Sequence, residues 1–284
     1  MLKFFKRIRK RQIHQGRLKN YLLYALGEII LVVIGILLAL QINNWNTERV
    51  EQDQMQEFAS AMIQDLRADI YETELRQKQM KKIIMRMDSA RTLINQSKIS
   101  DLQNIDLLCL TWNLYYRPFQ WKRKTMEQLK SSASLRFIRN DSLLELIGEY
   151  DSFTQHLDED FQGDLARVER IEPLILEVVN MNYSNITDMR VGLLRTISDE
   201  SKDNFDFFDH PEFLEAQDEG IPLLTSKQED LDLLINNLIS LQFQYEIRTN
   251  LEMKKLKSDA ENLIELLTQE YKLGNMNPES KNLN

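Results

Sequence analysis

From Tyr21 to Leu40 the chain reads YLLYALGEIILVVIGILLAL, twenty residues with one charge, Glu28. Past Trp45 the polarity changes and the apolar positions settle into a helical rhythm. Phe58, Met62, Leu66 and Ile70 stand four apart, and Met80, Ile83, Met87, Ala90 and Ile94 follow steps of three and four. Such spacing puts side chains on one helix face. Neither Gly nor Pro occurs between Val50 and Arg117, so one amphipathic helix, running on from the apolar segment, is predicted to reach Gln96. Fifty residues at about 1.5 Å each extend about 75 Å, more than a lone surface helix supports. It needs packing partners.

Those partners are predicted downstream. Asn104–Tyr116 is a short apolar segment. Asn140, Asp141 and Ser142, followed by Glu145, read as a capped helix start leading from Leu143 to about Asn182, with Pro173 kinking or dividing the helix. Ser226 with Glu229 reads as a second capping box. It opens a helix through Leu231, Ile235, Leu238, Tyr245, Leu256, Leu263 and Leu267 that stops near Gly274. The apolar stripes are expected to form core. No internal repeat is present. The expected fold is all-α: one N-terminal transmembrane helix followed by an elongated extracytoplasmic helical bundle with coiled-coil-like pairing.

The apolar run is long enough to cross about 30 Å of hydrocarbon. Its thirteen Leu, Ile and Val residues contribute about −4 to −8 kcal/mol to insertion, against about 3 kcal/mol for Glu28 if it were central. Tyr21 and Tyr24 are placed to anchor one interface and Trp45 the other. The run exceeds a usual signal-peptide core, and Ala39-Leu40-Gln41 is a poor cleavage site, so an uncleaved signal anchor is expected.

Charge supplies the orientation. Residues 1–20 carry eight Lys/Arg and no acid, whereas residues 47–284 hold 28 basic and 43 acidic residues. The positive-inside rule makes 1–20 a basic cytoplasmic leader, 21–43 the transmembrane helix and 44–284 a periplasmic helical domain of a bacterial inner-membrane protein. The leader is most simply a topology determinant touching anionic lipid. Twenty residues without a fold cannot read a nucleic-acid sequence, and no nucleic-acid partner is expected. Scarce turn-formers (8 Gly, 5 Pro) agree with long helices. The lone Cys109 rules out an intramolecular disulfide and any multi-cysteine zinc site.

Within the span, Ala25, Glu28, Val32, Gly35 and Ala39 recur at three- and four-residue steps. Gly35-x-x-x-Ala39 is a small-x-x-x-small pair that lets another helix approach. Two readings of Glu28 stand side by side. Either it hydrogen-bonds across a contact with a second copy or another membrane protein, or it snorkels to the head groups.

Two further segments mix suitable chemistry for recognition. Trp112–Lys124 combines aromatic and basic residues, and reads chiefly as an aromatic core plug before a solvated helix start. Ser198–Thr225 sets nine acids against one Lys, with Phe205, Phe207 and Phe208 interleaved. It reads as a solvated loop pinned by its phenylalanines, without EF-hand spacing. His14, His156 and His210 are scattered, and Asp158-Glu159-Asp160 reads as a solvated face. No H-E-x-x-H, G-x-S-x-G, P-loop or G-x-G-x-x-G occurs. Neither an enzyme nor a cofactor is expected.

Two blocks carry a resemblance: YALGEIILVVIGILLALQINNWN from Tyr24 to Asn46, and MEQLKSSASLRFIRNDSLL from Met126 to Leu144. Together they resemble a family of uncharacterised bacterial single-span membrane proteins, a domain of unknown function. That family usually has glycine where Ala133 stands. The resemblance implies a Gram-negative envelope protein and brings no reaction, cofactor or catalytic residue. It also suggests that the stretch around Glu28 serves more than anchoring. The expected function is a non-enzymatic interaction or scaffold protein of the inner membrane. The alternative is a periplasmic ligand-sensing module that signals through a membrane partner, because a twenty-residue leader leaves no room for an output domain. An envelope hydrolase, the third reading, would need a pocket of close carboxylates with displaced pKa values.

Overall fold

The computed structural model describes the backbone of residues 18–182 and 210–273, with side chains from residue 22 onward. The basic leader, the Tyr21 side chain, Phe205, Phe207, Phe208 and Gly274 lie outside the described residues. Among the described residues the structure is helical without strands; Gln103 and Pro222 form one isolated bridge.

Helix α1, Leu18–Gln96, ends where the periodicity predicts. By contacts the chain divides into two units, Met1–Glu57 and Phe58–Asn284. In the first unit, the α1 segment holding the apolar run has a mean hydropathy of 2.6 over its best window and is long and apolar enough to cross a membrane. Its leucines, isoleucines and valines are about half exposed or more, up to Leu31 at 74 %.

The second unit is a bundle of three long helices with a strap. Within this unit α1 buries Met62, Leu66, Met80, Ile83, Met87, Ala90 and Ile94. After a 3-10 turn at Ile99–Asp101 comes α2, Asn104–Thr111, nearly all of it buried. The chain then doubles back. Arg86 holds this turn through the carbonyl oxygens of Trp112 and Asn113, the second at 2.8 Å, with Asn113 at φ +48°. Burial lowers the Arg86 pKa to about 10, so it remains charged at neutral pH.

Residues 112–123 run extended down the bundle. Leu114, Tyr116 and Phe119 are buried there, and the strap leads into α3, Lys124–Ser131. The aromatic and basic segment is thus a core plug before a helix start, as its composition suggests. Its backbone would otherwise lack partners. Asp69 and Asp65 of α1 supply two, accepting from the N–H groups of Lys122 (2.8 Å) and Thr125 (3.3 Å).

A second 3-10 turn, Ser134–Phe137, follows Ala133, which sits in the left-handed region at φ +55°. An L side chain there is strained by roughly 1–2 kcal/mol. Ala133→Gly is expected to raise stability by about 0.5–1 kcal/mol, the strain relief exceeding the added chain entropy. Urea denaturation of the two proteins checks this.

Helix α4, Asp141–Val178, starts with the Asn140 side chain accepting the Leu143 N–H at 3.2 Å, and Pro173 sits inside it without dividing it. Helix α5, Pro211–Asp218, occupies the stretch expected to be a solvated loop. Pro211 at its first turn, the His210 cap and the buried Phe213 make it a helix instead.

Helix α6, Gln228–Ile247, does not use the Ser226 capping box. Lys227 is the residue before the first turn, and Thr225 rather than Ser226 makes the local bonds, accepting from the Lys227 N–H and donating to Asp230. A π-helical turn, Arg248–Glu252, joins α6 to α7, Met253–Glu270. Leu231, Ile235, Leu238, Tyr245, Leu256, Leu263 and Leu267 all lie in the core.

Cross-links give the directions. Asp69 meets Tyr150 at one level and Asn104 meets Asn180 at another, so α1 and α4 run parallel. Leu224 hydrogen-bonds to Val178 and Glu270 to Asn140, so the α6–α7 helix returns antiparallel to both.

Candidate functional site

At mid-height the apolar core gives way to polar groups on all three long helices. On α1, Asp69, Thr73 and Arg76 occupy core positions between Leu66 and Met80; on α4, Asp164 lies between Leu157 and Val168; in the π-turn, Arg248 and Thr249 precede Met253. Each is 5 % exposed or less. Charges this deep persist only when paired.

Arg248 is the centre. Its guanidinium reaches Asp160 Oδ1 at 2.8 Å, Asp164 Oδ2 at 3.4 Å and both Glu252 oxygens at 2.8 and 2.9 Å. Burial opposes its charge, but the carboxylates, Asp164 foremost, outweigh that and hold its pKa above the ordinary range. Asp164 also accepts from the Tyr116 hydroxyl (3.2 Å) and from Arg167 (3.2 Å). Burial pushes the Asp164 pKa up despite these partners.

The π-turn makes this arrangement possible. One extra residue in the turn detaches backbone groups from the i→i−4 ladder, and such turns recur at functional positions. The exposed carbonyl of Thr249 is captured by Gln77 of α1 at 2.6 Å. Above the turn, the ring of Tyr116 meets the rings of Tyr245 and Phe161 edge-on at 5.3 and 5.2 Å, and the Tyr245 hydroxyl donates to Leu114 O. Burial raises the pKa of both tyrosines, so they serve as neutral donors.

A cavity of about 30 Å³ is lined by Asp65, Asp69, Trp121, Tyr150, Thr154 and Leu263, among others. Its size suits about one water molecule. Burial raises the Asp69 pKa to about 6 while the Lys122 N–H and the Tyr150 hydroxyl oppose the shift. The folded protein therefore binds this proton more tightly than the unfolded chain. Its contribution is greatest at low pH and is lost as pH rises through about 6. Asp69→Asn keeps an acceptor for Lys122, so its stability relative to wild type is expected to rise by about 2.5 kcal/mol between pH 4 and pH 7.5. Paired melts across that range measure it.

Cys109 is buried, and burial raises its thiol to about 12, leaving it unreactive at neutral pH. Of the acidic triplet, Glu159 is exposed as a solvated face predicts, whereas its two neighbours are partnered. Asp158 accepts from Trp121 Nε1 (3.0 Å) and Arg123 (2.6 Å), and Asp160 belongs to the Arg248 network. His156, isolated in the sequence, comes beside Asp160 and Glu252; the donor atoms of these three lie within 4.8 Å of one another.

Ala25, Glu28, Val32, Gly35 and Ala39 lie on the first unit's helix, along with Tyr24 and Trp45. Gly35 has open space where a Cβ would be, and Trp45 is 66 % exposed.

Residues 28–116 match a family of unknown function (DUF6090). The matched stretch takes in Glu28–Asn46 of the first resembling block, the α1 stripe, α2 and the strap through Tyr116. The block at Met126–Leu144 lies beyond it. No curated protein and no solved structure matches the chain.

Sequence reasoning missed the polar layer, although signals were present. Leu241, Tyr245, Thr249 and Met253 stand in consecutive fours, and the polar Thr249 breaks that apolar stripe. Continuing the α1 stripe past Leu66 lands on Asp69, Thr73 and Arg76. The pairing of Arg248 with α4 carboxylates has no local signal.

Proposed function

We propose that this chain is a single-pass bacterial inner-membrane protein with a cytoplasmic N-terminus and a periplasmic helical domain, acting as a non-enzymatic interaction or scaffold module. The observation that carries it is the exposed apolar face of α1, which no described part of the chain covers and which a bilayer suits. The charge asymmetry across that run supports the orientation. In this reading the lipid bilayer is the first partner. A second copy, or another membrane protein, docks along Ala25, Glu28, Val32, Gly35 and Ala39, with Glu28 bonding across the contact.

The test is crosslinking in native membranes followed by mild solubilisation. Recovery of the chain with itself or one membrane protein, reduced by Glu28→Leu, is the expected result; recovery of the monomer alone would overturn it. A reporter fused after Asn284 checks the orientation and is expected to be active only on the periplasmic side.

A ligand-sensing module that signals through a membrane partner is the second reading. The π-turn and its buried charges favour it, since such a layer joins all three long helices. The cavity between Asp69 and Tyr150 is too small for an organic ligand.

A further inference from the structure

We propose that His156, Asp160 and Glu252 form a binding site for a first-row divalent transition metal of the zinc class. The inference stands independently of the membrane reading. His156 Nε2 lies 3.1 Å from Asp160 Oδ2 and 3.9 Å from Glu252 Oε1. Atoms that share one ion at about 2.0–2.2 Å lie roughly 3–4 Å apart. The ligand atoms of all three side chains lie within 4.8 Å of one another.

Asp160 divides its carboxylate. Oδ1 takes the Arg248 guanidinium, whereas Oδ2 is fully buried and accepts no hydrogen bond. A buried carboxylate oxygen left so calls for a counter-charge. Glu252 is held by Arg248 through both oxygens and keeps further lone pairs. Arg248 thus orients two of the three ligands, as hydrogen-bonded groups behind metal-binding carboxylates do. It does not neutralise them: one guanidinium stands against two carboxylates at the site.

His156 is half exposed, giving an ion a way in and leaving coordination positions for water. One imidazole nitrogen with two carboxylate oxygens suits zinc, manganese, cobalt or iron(II). Calcium, which takes six to eight oxygens, is disfavoured. The three ligands come from α4 and the π-turn, so the ion would pin the two elements together. The competing occupant is a proton on His156 paired with Asp160.

Isothermal titration of the full-length chain in detergent micelles with Zn(II), and with Co(II) followed by visible absorption, separates the two. The expected result is one saturable site. His156→Gln and Glu252→Gln each weaken it by about tenfold or more, and the double variant His14→Gln/His210→Gln binds as wild type. His156 is half exposed, so His156→Gln is expected to fold, which circular dichroism checks. Absence of saturable binding, binding unchanged in His156→Gln, or binding lost in the His14→Gln/His210→Gln control each overturns the proposal.

Discussion

Arg248→Met is expected to destabilise the bundle by about 3–5 kcal/mol, enough to unfold much of a marginally stable domain. The guanidinium is 6 % exposed and is the shared partner of Asp160, Asp164 and Glu252. Removing it leaves carboxylates in the core with too few counter-charges. Methionine fills similar volume, so the loss reports charge rather than a void. The pH dependence follows. Burial already raises the Asp164 pKa and Arg248 opposes that shift, so without Arg248 the folded state holds the Asp164 proton that the unfolded chain releases. The variant therefore regains stability as pH falls and loses it as pH rises. Urea denaturation at pH 5 and pH 8 measures both effects. A loss under about 1 kcal/mol at pH 8 would mean that the network does not hold the helices together. Replacing Asp160 and Asp164 by Leu in the same background is expected to restore much of the loss, because an apolar core tolerates what a half-paired charge cluster does not.

The second large effect concerns the apolar run. Val33→Arg combined with Ile36→Arg is expected to abolish stable membrane association. Each arginine costs about 3 kcal/mol near the middle of a span and forfeits about 0.5 kcal/mol of favourable transfer, so the pair removes about 7 kcal/mol. That matches or exceeds the whole favourable total for a helix already carrying Glu28. Alkaline carbonate extraction of membranes distinguishes the cases: wild type in the pellet, the variant in the soluble fraction. A variant that still pellets would show that something other than the lipid interior holds the chain there.

The long helices were legible because their evidence is local. Met80 through Ile94 write one face in threes and fours, and no glycine or proline interrupts α1 between Val50 and its end at Gln96. The strap was legible as a core plug because Leu114, Tyr116 and Phe119 cannot stay in water together. Caps were less so. Ser226 satisfies a capping pattern, yet the turn begins one residue later, at a choice settled by Thr225 and Asp230. Helix α5 was hidden because nine acids over Ser198–Thr225 outweigh the buried Phe213 and Ala216 to the eye, although two apolar anchors and a proline suffice for two turns. The polar layer was least legible. Arg248 and Asp164 are 84 positions apart in the chain, and neither announces its partner. Only the arrival of polar residues where an apolar stripe should continue marks the level at which they meet.

The π-turn also sets the gearing of the returning helix. In an α-helix each residue advances the side chains by about 100° around the axis. Were one residue removed between Arg248 and Glu252, everything beyond would rotate backward by that angle relative to α6. Leu256, Ala260, Leu263 and Leu267 would then turn from the core toward water. The surplus residue thus works as a phase key, locking the two halves of one long rod into a common orientation.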